Sequence, residues 1–225
     1  MKSIEQFVTQ GISDQAELIA ALETAMRLEF ATLPSYLCAQ WSINQDPDNV
    51  ASIIEGIAVQ EMYHFALAGN ILSAIGYSPR IAYPGFLPTY PTNKLPGDIL
   101  QKLAVDLTPL TSEQLDVFMQ IENPQFNPVV IRPPELALTE AAKAPATIGD
   151  FYDVLIEALK RLNPNFDPNA KFIGFGEAVQ IKSIDDSIQA IIRIKEEGEG
   201  APDSPAQSPS NRKKLAHFYL FQMII

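Results

Sequence analysis

Two long helical stripes joined by a short link constrain this chain more than any other feature of its sequence. The first runs from about Asp14 to Trp41 and repeats Leu18, Leu22, Ala25, Leu33, Tyr36 and Leu37 at helical spacing. Asp14 and Glu17 have the spacing of a capping box at its start. Pro34 lies inside it and predicts a bend, because proline removes one ladder hydrogen bond. The second stripe runs from about Asp48 to Ile75, with Gly76 as its stop. Only SINQDPD separates the two, which predicts an antiparallel hairpin.

This hairpin carries charge on the side that should be buried. Glu61 is in helical register with Ile54, Ile57, Phe65 and Ala68, and His64 with Ile57, Leu67 and Ile71. A buried carboxylate is costly unless it is paired or bound to a cation. One turn apart, Glu61 and His64 can offer an oxygen and an imidazole nitrogen to one metal ion, or satisfy each other by a hydrogen bond. Glu29 lies on the core stripe of the first helix, one turn from Ala25 and Leu33, and mid-hairpin it should face Glu61. A salt bridge from Glu29 to Arg27 or Arg80 is the plainer alternative, but it does not account for the core-facing register.

The rest of the chain changes texture. Eleven of the eighteen prolines fall between Pro79 and Pro145, so an insertion over about 77–146 should be largely irregular, with SEQLDVFMQIE as a short helix. TIGDFYDVLIEALKRL predicts a third long helix with Ile148, Phe151, Tyr152, Leu155 and Leu159 on its apolar side. A fourth begins near Ser183, and Ile184, Ile188, Ile191 and Ile192 define its expected buried side. Glu199 continues that side and Glu197 falls opposite it. A Pro/Ser/Gly-rich loop over about 200–214 reads as mobile before LAHFYLFQMII resumes an apolar helical pattern. The second of only two histidines, His217, shares a stripe there with Leu220, Phe221 and Ile224. If the loop is an excursion from one helical path, Glu199 and His217 meet as a split echo of the Glu61/His64 pair; an acidic helix end and a packed core histidine are the plainer alternative. Asp150 is a candidate for a third-helix ligand, although Thr147 and Asp150 also have capping-box spacing. Glu122, at the end of the short helix, is an unassigned acid.

Composition narrows the function classes. All 225 residues are expected to form one domain with a sizeable core, since 47% are hydrophobic. A net charge of −11 argues against a nucleic-acid partner. No apolar run is long enough for a membrane span, the N-terminus lacks a signal-peptide pattern, and the lone Cys38 excludes an internal disulfide. A cytoplasmic location is the corresponding expectation.

LEFATLPSYL, IAVQEMYHFALAGNILSAIG, TIGDFY, GEG and AHFYLF together resemble the ferritin-like domain family that includes the iminophenylpyruvate dimer synthase domain of bisindole pigment pathways. The resemblance implies an all-α, ferritin-like four-helix bundle with an iron site between helices, one or two ions, manganese being the alternative metal. It implies Glu29, Glu61, His64, Glu199, His217 and Asp150 as metal-site candidates. Asp150 stands where the family pattern has Glu, and Glu197 where it has Gln. The expected function is an oxidoreductase acting with dioxygen on a small organic substrate. Oxidative coupling of amino-acid-derived imines and a non-enzymatic iron-binding bundle are the alternatives. A homodimer is compatible with all three.

Overall fold

Capping chemistry sets the helix boundaries. In the computed structural model, residues 2–46, 48–124, 146–176, 178–200 and 214–224 are described. Asp14 accepts from the Glu17 amide at 2.9 Å to start α2 (Gln15–Trp41), and Glu17 accepts from the Ser13 amide at 2.7 Å. The helix continues through Pro34, which has no N–H to offer the preceding turn. Beside that break the Tyr90 hydroxyl donates to the Ala31 carbonyl at 2.5 Å, tying the insertion to the helix. The second stripe forms α3 (Val50–Ala74), closed by Gly76 at φ 84° and a Tyr77 amide bond to the Leu72 carbonyl at 3.0 Å.

The insertion is irregular from 77 to 111, with isolated antiparallel bridges at Thr92–Val105 and Leu95–Ile99. It then forms α4 (Ser112–Ile121), capped by Thr111. Thr147 and Asp150 make a complete capping box for α5 (Ile148–Leu162), and Ser183 caps α6 (Ile184–Gly198). The last described helix is α7 (His217–Ile224). One further helix precedes all of these. Ser3 and Gln6 form a capping box for α1 (Ile4–Gln10), whose Phe7 ring lies 5.8 Å from that of Phe151 on α5.

The α2/α3 hairpin packs most extensively, α5 packs on α2 and α6, and α6 packs on α3. These four helices are the bundle. One contiguous core runs through them, with Leu18, Leu22, Ala25, Ile54, Ile57, Leu72, Phe151, Leu155 and Ile191 all buried. Helix α4 packs on α7, and α7 also contacts α3, so an element of the insertion reaches the bundle interior. The segment between α5 and α6 folds back on α3. There the buried Asn70 donates to the Ile173 and Val179 carbonyls and accepts from the Ile173 amide at 2.7 Å.

Helix α6 differs from its expected orientation. Its buried residues are Ser187, Ala190, Ile191, Ile194 and Glu197, whereas Ile184, Ile188 and Ile192 are only partly buried. The isoleucines suggested a face rotated from the true one, because small Ser187 and Ala190 let this helix approach closely on a side of low hydrophobicity. The loop expected at about 200–214 falls, apart from Gly200 and Lys214, outside the described residues, as does the insertion from 125 to 145.

Candidate metal centre

Five side chains from four helices or their ends converge inside the bundle. Glu29 comes from α2, and Glu61 and His64 from α3. Glu122 follows the last turn of α4, and His217 opens α7. All five are at least nine-tenths buried. Two groups could each hold an ion: Glu29, Glu61 and His64, and Glu61, Glu122 and His217, with the ligand atoms of each group within 4.8 Å of one another. Glu61 belongs to both.

The histidines face the groups in the same sense. His64 Nδ1 lies 3.4 Å from Glu29 Oε2 and 3.9 Å from Glu61 Oε1. His217 Nδ1 lies 2.9 Å from Glu61 Oε1 and 3.7 Å from Glu122 Oε1. Outward, His64 Nε2 is 2.8 Å from Glu197 Oε2 and His217 Nε2 is 3.0 Å from Gln60 Oε1. Each outer acceptor fixes its ring so that Nδ1 points inward. The carboxylates are held as well. Tyr36 donates to Glu122 Oε1 at 2.7 Å, Tyr152 to Glu29 Oε1, and Thr32 to Glu61 Oε2 at 3.2 Å.

A family model described as ferritin-like matches residues 22–225. The chain belongs to the ferritin-like family. A ferritin-like protein from Caulobacter vibrioides has the same fold, with a TM-score of 0.69 at 23% identity over 95% of this chain and 73% of that one. No curated protein matches the chain.

The donor chemistry of this ferritin-like chain fits a first-row transition metal, since carboxylates and imidazoles suit divalent ions of intermediate hardness such as iron or manganese. The metal-free electrostatics show what a cation would relieve. Burial, with the neighbouring charges of Glu122 and Glu29, pushes the Glu61 carboxyl up to about 8 against the opposing pull of His217. Burial also opposes charge on His64, but its hydrogen bonds to Glu197 and Glu29 and the charge of Glu61 raise it to about 10. His217 is raised to about 9 against burial by Glu122 and Glu61. Burial resists ionisation of Glu29 too, yet the His64 hydrogen bond and charge hold its carboxyl below the usual value. Protons on the imidazoles and on Glu61 thus do the compensating work of an ion. Leu28, Thr32, Ile121, Ile148, Ile194 and Lys195 line, with these groups, a cavity of about 30 Å³, room for roughly two waters by the usual minimum.

The structure brings Glu29, Glu61, His64 and His217 together. Arg27 does not pair with Glu29. Its guanidinium donates to the Phe86 and Gly85 carbonyls of the insertion. Asp150 stands outside both groups, because its carboxylate accepts from the Thr147 amide and hydroxyl at 2.9 Å in the capping box. Glu199 lines the same cavity but belongs to neither group, and its carboxylate fills the space beside Gly149, where a Cβ would lie 2.4 Å from Oε2. Glu122 instead joins Glu61 and His217 in the second group. It comes from the insertion, so helical periodicity in α5 could not reveal it. Glu197 also turns inward, with only 6% exposed, because the buried face of α6 is not its isoleucine face.

Proposed function

We propose that this chain is a dinuclear, iron-dependent oxidoreductase that uses dioxygen to oxidise a small organic substrate. The observation that carries the proposal is the shared Glu61, which lies between two buried groups that each add one further carboxylate and one imidazole. Glu29, Glu61 and His64 would hold one ion, and Glu61, Glu122 and His217 the other. When bound, such ions supply redox equivalents and a coordination site for oxygen.

The protein's own groups prepare that site. Glu197 and Gln60 hold the imidazoles with Nδ1 inward. The Tyr36 and Tyr152 hydroxyls donate to one oxygen each of Glu122 and Glu29, leaving the second oxygen of each to a cation. Leu28, Ile121, Ile148 and Ile194 give the cavity an apolar lining. Oxidative coupling of amino-acid-derived imines falls within this reaction class.

Protein purified without added metal should contain about two iron or manganese ions per chain, and reduced, iron-loaded protein should consume oxygen. Absence of a bound transition metal, with a melting temperature unmoved by ferrous iron, would sink the proposal. The small cavity favours a second reading, in which the carboxylates hold metal without turnover. His64→Ala separates the two: lost turnover in a folded protein supports the enzyme, and loss of metal with no turnover to lose supports the storage role.

A further inference from the structure

The two halves of the centre match closely, except behind the histidines. Each terminal carboxylate takes one tyrosine hydroxyl, Tyr152 on Glu29 and Tyr36 on Glu122. Both halves share Glu61, and both histidines present Nδ1. The other ring nitrogen meets different chemistry. His64 Nε2 donates to a carboxylate, Glu197 Oε2, at 2.8 Å. His217 Nε2 donates to a neutral amide, Gln60 Oε1, at 3.0 Å.

Glu197 is itself held in place. Arg193 Nε donates to its second oxygen, Oε1, at 2.9 Å, and the guanidinium lies 4.5 Å over the Tyr63 ring. A bidentate role is thereby fixed for one buried carboxylate, with one oxygen for Arg193 and the other for His64. A charged acceptor draws the ring proton outward more strongly than an amide does. It therefore leaves more electron density on Nδ1, the atom that faces the metal position.

We infer that the two metal positions are unequal, with the position formed by Glu29, Glu61 and His64 filling first and more tightly because Glu197 backs its histidine. Glu197 is a positioning residue. The Glu61, Glu122 and His217 position, whose histidine is backed among the described residues by the Gln60 amide, fills second and exchanges faster. The inference rests on the metal-binding reading proposed above.

Manganese(II) or cobalt(II) titrated into metal-free protein under anaerobic conditions tests the ordering without reference to activity. Calorimetry should resolve two steps, and crystals grown with one equivalent should place the anomalous signal beside His64. Glu197→Gln, which keeps shape and removes charge, should weaken the first step by about 10–100-fold and leave the second nearly unchanged. Gln60→Glu should strengthen the second step, and the two substitutions combined should reverse the order of filling. A purely structural Glu197 would shift melting temperature without reversing the order.

Equal occupancy at one equivalent, first filling beside His217, or equal weakening of both steps by Glu197→Gln would overturn the inference while leaving the metal-binding reading intact. Failure of wild-type protein to bind either ion would overturn both. If Glu197→Gln does not fold, the wild-type occupancy at one equivalent still decides the matter.

Discussion

Glu61 Oε1 lies 2.9 Å from His217 Nδ1 and 3.9 Å from His64 Nδ1, so a single carboxylate faces both imidazoles. Its second oxygen lies 3.2 Å from the Thr32 hydroxyl, whose single proton is shared with the Glu29 carbonyl 2.9 Å away, one turn back on α2. The Glu61 side chain is therefore set by both helices of the hairpin. Glu29 and Glu122 each serve one side, whereas Glu61 serves both.

Glu61→Gln should accordingly weaken both metal-binding steps, while Glu122→Gln should weaken only the step at His217. Metal-free Glu61→Gln should keep its stability at pH 7 within about 1 kcal/mol, because the amide mimics a carboxyl that burial already keeps protonated there. Calorimetric metal titration and urea unfolding of the metal-free protein check the two halves of this expectation. A loss of stability as large as that of a core truncation would show that Glu61 is ionised in the metal-free state.

The pH dependence of the metal-free protein follows from the same groups. Glu61 is raised from 4.5 to about 8, and His64 and His217 from 6.5 to about 10 and about 9. In each case the folded state binds the proton more tightly than the unfolded chain. That contribution is complete below the unfolded value and is lost as pH rises through the folded one. Metal-free protein should thus lose melting temperature progressively between pH 6.5 and 10. Metal binding displaces those protons, so affinity should rise over the same range, and the gap between loaded and metal-free melting temperatures should widen. Thermal melts at several pH values, with and without manganese, measure both trends. A metal-free melting temperature that rises over this range would contradict the assignment.

Much of the centre was legible because α3 carries Glu61 and His64 on an unbroken apolar stripe, where any polar side chain must face the core. Glu29 was legible for the same reason on α2. His217 could be singled out because it is one of only two histidines. Glu122 could be noted only as an unassigned acid, since it follows a ten-residue helix whose docking onto α7 is a long-range contact without periodic signature. Glu197 was missed because α6 buries Ser187 and Ala190 and leaves Ile188 and Ile192 only partly buried, against the reading that apolar residues alone give. Helix α1 did have a local signal, Ser3 and Gln6 at capping-box spacing, but its seven residues are too few for a periodic stripe.

The docking of α1 and the insertion onto α2 gives a prediction remote from the candidate metal centre. Gly97 has φ +80°, and its carbonyl accepts the Ile4 amide at 2.8 Å. A Cβ at this position would sit 2.7 Å from Ile4 Cγ1 and 2.8 Å from Thr24 Cγ2. Gly97→Ala combines left-handed strain with overpacking against two buried residues, and should destabilise the fold by roughly 2–4 kcal/mol. Gly11→Ala places a side chain at φ 74° and ψ −176°, a conformation nearly confined to glycine, but with open space around it, and should cost about 1–3 kcal/mol from backbone strain alone. Urea denaturation of the two variants side by side isolates the packing contribution.

The tyrosines behind the terminal carboxylates give the last prediction. Tyr36 and Tyr152 are fully buried, and their rings pack in the core, Tyr36 with its centroid 4.6 Å from that of Phe118 and 5.2 Å from that of Phe221. Substitution by Phe keeps those ring contacts and removes only the hydroxyl on Glu122 or Glu29. In the metal-free protein each substitution leaves a buried carboxylate short of a donor, and should cost about 1.5–3 kcal/mol. With metal bound, the same carboxylate gains a cation and the cost should fall to about 1 kcal/mol, the ordinary net value of a hydrogen bond. Unfolding of wild type, Tyr36→Phe and Tyr152→Phe with and without manganese therefore yields a coupling energy between hydroxyl and ion. Equal losses in the two states would show that the tyrosines act on the fold alone. A loss confined to the metal-free state would establish that hydroxyl and metal share the work of satisfying Glu29 and Glu122.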